Sequence, residues 1–287
     1  MDIQPSLWQC LVVVRRDRVE DIVSRLDDEA ESIAAFEVDA GRWQVELLFR
    51  KRPETAAITS ALNGTDFESL AIAELDDRDW VAINQAAFPP QQLGPFWVHG
   101  SHVSDDTPPG AIPILVDAGA AFGSGEHGTT QGCLEALADL RRTFHPKRIL
   151  DMGCGSAILA IAAAKLWTCR GVAADNDPFA IATGRNNVRA NGVHHRVRVI
   201  RSDGYNRTEL RRAGRFDLII ANILAKPLCS MAGGLAHALA PGGYAILSGL
   251  LHNQAFAVRQ AHRRAGLRPK RQLQMGPWTT LVMRKPI

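Results

Sequence analysis

Two glycines at spacing two, with a carboxylate just before them, are the residues in this chain best suited to building a small-molecule site. They lie in Arg148-Ile-Leu-Asp-Met-Gly-Cys-Gly-Ser-Ala157. A short apolar run, Ile149-Leu150, ends in Asp151, and Ile158 to Lys165 is dense in strong helix formers. The stretch predicts strand, tight turn, helix. Gly153 and Gly155 let a ligand approach the backbone with no Cβ in the way. The helix start adds N–H groups and a positive dipole end. A dinucleotide would require a small residue at position 158, where Ile158 stands. A ligand with an adenosine and no pyrophosphate fits better, namely S-adenosylmethionine. Gly171-Val-Ala-Ala-Asp175 predicts a second strand ending in a carboxylate about twenty residues beyond the glycines, placed to accept both ribose hydroxyls.

A second glycine-rich loop, Asp117-Ala-Gly-Ala-Ala-Phe-Gly-Ser-Gly-Glu-His-Gly-Thr-Thr130, precedes a helical pattern with Cys133, Leu134, Leu137 and Leu140 on one side. A phosphate loop would need lysine before the Ser/Thr, and His127-Gly128 stands there instead. Thr129 and Thr130 occupy the expected N-cap, and a helix start with threonine hydroxyls suits the carboxylate of the same ligand. Asp203 follows a third predicted strand, Val197–Arg201, where an adenine amino group would need an acceptor. Asn222 directly follows the apolar run Leu218-Ile-Ile-Ala221. Its amide oxygen and the Ile223 carbonyl could act as acceptors at the ligand edge of the sheet. His99 and His102 have ligand-like spacing, but no companion carboxylate or cysteine pattern makes a metal site of them.

The elements that must position these residues alternate strand and helix from about residue 106 to the end. That pattern implies an α/β fold, a doubly wound, mostly parallel sheet with ligand at the carboxyl ends of the strands. Asp151, Asp175, Asp203 and Asn222 all fall at such ends. The predicted order closes with a helix from Pro227 to Leu239, a strand Tyr244–Ser248, a helix Asn253–Ala265 and a terminal hairpin. The N-terminal part reads differently. Strands at Trp8–Val14, Ser32–Val38, Arg42–Phe49 and Ser69–Leu75, with helices at Val19–Leu26 and Ala56–Leu62, give the β-α-β-β-α-β order of a ferredoxin-like unit. Such units can bind RNA, but Arg42–Phe49 lacks the paired aromatics in a basic, glycine-containing frame, so protein recognition is the expectation. The predicted division is residues 1–77 for a substrate-recognition domain, 78–105 for a linker with a short helix at Trp80–Phe88, and 106–287 for the ligand-binding domain.

Composition agrees with a soluble globular chain: 46% hydrophobic, 22% charged, and a net charge of +3 from 33 basic and 30 acidic residues. That balance gives no sign of direct nucleic-acid binding. Nothing at the N-terminus looks like a signal peptide, and no apolar run approaches membrane-spanning length. Five scattered cysteines without a C-x-x-C pair point to free thiols in a reducing cytoplasm.

Four stretches resemble the ribosomal protein L11 methyltransferase family: Ala121-Phe-Gly-Ser-Gly-Glu-His-Gly-Thr-Thr130, Leu150-Asp-Met-Gly-Cys-Gly-Ser-Ala-Ile-Leu-Ala160, Asp175-Asn-Asp-Pro178 and Asn222-Ile-Leu-Ala-Lys-Pro-Leu228. The last is the specific one, because it replaces the Asn-Pro-Pro-Tyr of other amino-group methyltransferases. The resemblance implies a class I, Rossmann-like methyltransferase domain and S-adenosylmethionine as cofactor. It further implies lysine and N-terminal amines of a large-subunit ribosomal protein as substrate. It aligns Thr130, Gly153, Asp175 and Asn222 with cofactor-contacting positions; Gly155 and Asp203 complete the expected cofactor set, and Asn222 is the expected catalytic residue. Related lysine methyltransferases of electron transfer flavoprotein, and small-molecule methyltransferases, are the alternatives. Two departures stand out. Ala157 replaces a usual glycine, adding a methyl that a small shift should accommodate, and Glu126-His-Gly128 replaces Thr-His-Pro.

Overall fold

The computed structural model describes residues 7–26, 29–30, 32–39, 41–64, 66–75, 89–101, 103, 107–116, 128–205, 207–208, 210 and 214–287. The expected helix at 80–88, His102 and the loop at 117–127 lie outside them. The chain divides into two compact units, Met1–Ile83 and Asn84–Ile287.

The first unit contains β1 (Leu7–Arg15), α1 (Val19–Leu26), β2 (Ser32–Asp39), β3 (Arg42–Phe49), α2 (Thr55–Ala61) and β4 (Ser69–Leu75). All pairings are antiparallel and the strand order is β2-β3-β1-β4, which is the ferredoxin-like arrangement. The strands' period of two is visible in the core: Cys10, Val12 and Val14 are buried, as are Trp43, Val45, Leu47 and Phe49. Trp43 and Phe49 therefore belong to the packed core and are not displayed for stacking bases. Val19, Ile22, Val23 and Leu26 supply the buried stripe of α1. Gly41, with φ of +84°, makes the turn between β2 and β3.

The second unit opens with a three-stranded sheet, β5 (Gln91–Leu93), β6 (Phe96–His99) and β7 (Ile112–Leu115). Two of these strands lie in the stretch expected to be linker. The chain then forms α3 (Gly128–Leu140), β8 (Arg148–Met152), α4 (Ile158–Leu166), β9 (Arg170–Asp175), α5 (Pro178–Ala190), β10 (Val197–Arg201), β11 (Phe216–Asn222), α6 (Ala225–Ser230), α7 (Ala232–Ala238), β12 (Leu239–Leu251), α8 (Ala255–Arg264), β13 (Arg268–Met275) and β14 (Trp278–Arg284). Their sheet has the order β10-β9-β8-β11-β12-β14-β13. The first five strands are parallel, and β14 runs antiparallel to both its neighbours.

Helices cover both faces, so central strands are apolar on both sides. Ile149 packs with α3 and α4, whereas its neighbour Leu150 packs with α6, α7 and α8. From Ile158 to Ala164 α4 is buried all round, which explains a helix made of nothing but Ala, Ile and Leu there. Two expectations are corrected. The single helix at 227–239 is broken at Met231, where the chain turns ahead of Gly233-Gly234 and Gly234 packs against the Tyr205 ring. The last parallel strand starts at Leu239, which pairs with Phe216; the ladder is then interrupted at the Pro-Gly-Gly segment, where Gly243 rests against the carbonyl of Asp217, and resumes with Tyr244 opposite Leu218.

Candidate active site

Strand order places a crevice beside β8. The chain continues from β8 to β9 on one side, and β11 pairs on the other, so this is the switch point at which open α/β sheets bind ligands. The polar residues fall in a row along it. Asp151 is the penultimate residue of β8, Asp175 ends β9, Asp203 follows β10, and Asn222 ends β11 opposite Ser248 of β12.

The glycine turn is built from left-handed backbone. Gly153, Gly155 and Ala157 have φ of +69°, +50° and +63°. Gly153 N and Cys154 N both donate to the Ala174 carbonyl (2.8 and 3.1 Å), and Gly155 N donates to Asp175 Oδ2 (2.9 Å). Asp175 Oδ1 accepts from Asp177 N at 3.0 Å. The expected ribose clamp is thus first of all the brace of the turn, with one lone pair spent on each oxygen. The departure at Ala157 is one of backbone more than of space. Left-handed φ costs a non-glycine residue roughly 1–2 kcal/mol, whereas the methyl itself is received by Gly184 of α5, whose own Cβ would meet it at 3.3 Å.

Ala157 offers no side-chain cap to α4. Asp151 does so from beneath: its Oδ2 accepts from Ala160 N at 2.9 Å, and its Oδ1 has no partner among the described residues. Burial, foremost, and then the charge of Asp175 push this carboxyl from about 3.8 up to about 8, against the pull of the Ala160 bond. The folded chain therefore keeps a proton that the unfolded chain has lost between about pH 4 and pH 8. Stability from this group is complete below that interval and is lost as pH rises through it. Asp151→Asn, which cannot titrate, is expected to flatten this part of the stability profile. Urea unfolding near the two ends of the interval measures it, and equal slopes in both proteins would contradict the assignment.

On the other side of the crevice, Asn222 Nδ2 reaches the hydroxyls of Thr129 and Thr130 at 3.4 Å each, long contacts, and its buried Oδ1 has no partner among the described residues. Thr129 and Thr130 were expected at the N-cap. They lie instead inside the first turn of α3, which begins at Gly128; Thr130 is fully buried with its hydroxyl toward Asn222. Ser248 Oγ donates to the Thr129 carbonyl at 3.0 Å, so the Thr280 hydroxyl 2.8 Å away donates to Ser248. Gly132 makes room for that hydroxyl, since a Cβ there would stand 2.3 Å from Thr280 Oγ1. Gly249, at φ of +84°, lies against the Ile223 carbonyl, 2.3 Å from where a Cβ would be. The Ile223 side chain in turn crosses to Gly153, with Cγ2 at 2.2 Å from a Cβ position.

The sequence alone singles out none of Ser248, Thr280, Gly132 and Gly249. Asp203 is exposed beyond β10. His99 Nδ1 contacts the Gly100 carbonyl, and no group of three His, Cys, Asp or Glu among the described residues could hold a metal ion. No helix among them is long and apolar enough to cross a membrane.

The sequence matches the ribosomal protein L11 methyltransferase (PrmA) family over residues 13–286. It is 41% identical over 273 residues to the protein named ribosomal protein L11 methyltransferase of Bradyrhizobium diazoefficiens, covering 93% of this chain and 92% of that one. The protein of the same name from Agrobacterium fabrum is 38% identical over 286 residues, covering 97% and 98%. The crystal structure of a ribosomal protein L11 methylase from Lactobacillus delbrueckii subsp. bulgaricus superposes with a TM-score of 0.62 at 26% identity, over 69% of this chain and 99% of that one.

Proposed function

Because the chain belongs to the ribosomal protein L11 methyltransferase family, we propose that it transfers methyl groups from S-adenosylmethionine to amines of ribosomal protein L11. The observation that carries the reading to the level of residues is the buried Oδ1 of Asn222 at the switch point, which has no partner among the described residues. A buried acceptor without a partner is costly and calls for a donor from a ligand.

The residues present fit the methyl donor. Gly153 and Gly155 shape the turn at the switch point, with the Cβ space of Gly153 taken by the Ile223 side chain; Asp175 has one lone pair of each oxygen unused among the described residues and available to ribose hydroxyls, and Asp203 offers an exposed carboxylate to the adenine edge. Bound S-adenosylmethionine supplies an electrophilic methyl on a sulfonium. The protein's work is alignment and exclusion of water, and no covalent enzyme intermediate is required. Asn222 accepts a hydrogen from the incoming amine and thereby aims its lone pair. Its neutrality matters: an α-amino group titrates near 8 and loses its proton readily, whereas a lysine near 10.4 must be desolvated to do so, and a carboxylate in the same place would hold the proton on.

Asp175→Ala is expected to weaken donor binding by the loss of two charge-assisted hydrogen bonds, each worth roughly 1.5–3 kcal/mol. Calorimetry on the folded variant is the check, and unchanged affinity would remove Asp175 from the cofactor set. The N-terminal unit acts as the recognition domain for the protein substrate, and the compartment that goes with a ribosomal substrate and free thiols is the cytoplasm. One experiment tests the whole: labelled donor with extract from cells lacking the enzyme, identifying the labelled protein by mass spectrometry. The full chain should label L11, and residues 84–287 alone should bind donor without labelling it. A different labelled protein, or full activity of the short form, would overturn the reading.

A further inference from the structure

The near-neutral total charge conceals a segregation. Nine of the 33 Lys and Arg, and none of the 30 Asp and Glu, fall in residues 218–287, so the first 217 residues carry a formal −6 and the remaining 70 a formal +9. The sheet register concentrates bases still further. Arg148 and Arg170 pair at the amino ends of β8 and β9, and Arg215 immediately precedes β11. Because β14 runs backwards, its last residue, Arg284, reaches this same end and pairs with Arg268, the first of β13. Helix α8 also runs back to it and closes on Arg263 and Arg264, while Arg141 and Arg142 follow α3. Asp151, Asp175 and Asp203 stand at the opposite end.

Some of these cations are committed. Arg284 donates to the Gly242 carbonyl, Lys285 to those of Ala236 and Leu239, and Arg148 lies over the Phe216 ring. Arg271 pairs with Glu135 and Asp139. Asp217, at this same end, is occupied by the backbone N–H groups of Lys147 and Arg148. Arg263, Arg264, Arg268 and Lys270 are exposed and form no ion pair among the described residues. Arg268 and Lys270 line a shallow depression with Pro286 and Ile287.

Bases in a helix's last turn interact favourably with its dipole, and bases on an edge strand such as β13 discourage pairing with another sheet. Neither effect explains Arg170 and Arg215 at the starts of central strands, nor 70 residues without an acid. We propose that this amino-end face binds the phosphate backbone of RNA. The choice of RNA rests on the proposed ribosomal substrate; the electrostatic argument needs only a polyanion. Since the face lies at the other end of the sheet from Asp175 and Asn222, RNA and the methyl-accepting amine can be held together. A surface of this kind steers encounter and is strongly salt-dependent.

The test uses the full chain and a dye-labelled single-stranded RNA of about 30 nucleotides, followed by fluorescence anisotropy between roughly 50 and 200 mM salt. Binding should fall linearly on a log–log plot. The combined substitution Arg263→Gln, Arg264→Gln, Arg268→Gln and Lys270→Gln should weaken it and reduce the slope by about 3, at about 0.7 for each phosphate no longer neutralised. The set Arg15→Gln, Arg16→Gln, Arg50→Gln and Lys51→Gln makes the same charge change on the N-terminal unit and should leave the slope unchanged. No binding at the lowest salt, an equal loss in both sets, or binding to phosphatidylserine vesicles that RNA does not compete away would overturn the proposal. Methyl transfer to free L11, measured on the variant substituted at Arg263, Arg264, Arg268 and Lys270, should stay at the unsubstituted level. If RNA binds as expected while L11 goes unmethylated even by the unsubstituted chain, the proposed function fails and this face stands.

Discussion

Replacing Asn222 by alanine is expected to lower kcat on the order of 10²-fold or more, the size that follows when a reacting group is misplaced, with a smaller change in donor affinity. The side chain is fixed by a rigid element: it ends β11, pairs in register with Ser248, and its Nδ2 is held by two threonine hydroxyls of α3. What remains is a buried oxygen with nothing to accept from among the described residues. Alanine removes that oxygen without touching the glycine turn on the other side of the crevice. Asn222→Asp sharpens the test. It keeps an acceptor but adds a charge that stabilises the protonated amine, so the rise of kcat/KM with pH should move to higher pH. Single-turnover kinetics across pH measure both. A near-normal kcat in the alanine variant would reduce Asn222 to a turn-closing residue.

The largest effect on the fold at the site is expected from Gly249→Ala. A Cβ there would stand 2.3 Å from the Ile223 carbonyl oxygen, 2.7 Å from its carbon and 3.0 Å from its nitrogen, at a φ of +84°. All three atoms are backbone, so no rotamer relieves the contact. Left-handed strain and overpacking together should cost roughly 2–5 kcal/mol. Whatever relief occurs must displace the turn carrying Asn222, so activity should fall beyond what the lower unfolding midpoint explains. Gly153→Ala is the informative contrast, because its Cβ meets the Ile223 side chain alone. Adding Ile223→Ala should therefore restore stability in part to Gly153→Ala and not to Gly249→Ala. A Gly249→Ala protein with normal midpoint and activity would show that β12 and the Asn222 turn are not in contact as described.

Half of this site could be read from the chain, and the division is physical. The glycine turn, Asp175 and the strand-ending Asn222 announce themselves because strand, turn and helix are local patterns closed by Gly, Asp and Pro. The threonine shelf does not. Ser248 reaches Thr129 over 119 positions, and nothing near either residue marks the other. Gly132 and Gly249 look like helix and strand interruptions until Thr280 and the Ile223 carbonyl are placed against them. Asp151 was legible as a strand-end acid, but its service as the missing cap of α4 depends on Ala157 adopting a left-handed φ that its residue type does not suggest. The ferredoxin-like unit was legible throughout because its strands alternate and its register follows from its turns. The break at Met231 was not, since Pro227 and Gly-Gly leave a helix reading open.

The hydrogen bonds of the crevice also differ in how far along the chain they reach. Asp175 braces Gly155 over 20 positions, whereas Asn222 meets Thr129 over 93. Loop-closure entropy grows with the logarithm of that separation, and non-local pairings are slow to form. During refolding the turn braced by Asp175 is therefore expected to assemble with β8 and β9 before the contact between Asn222 and the threonines, and an intermediate of that kind would be expected to bind S-adenosylmethionine without transferring its methyl group. Recovery of donor-analogue binding should precede recovery of methyl transfer after dilution from urea, and simultaneous recovery would indicate that both halves of the crevice close in a single cooperative step.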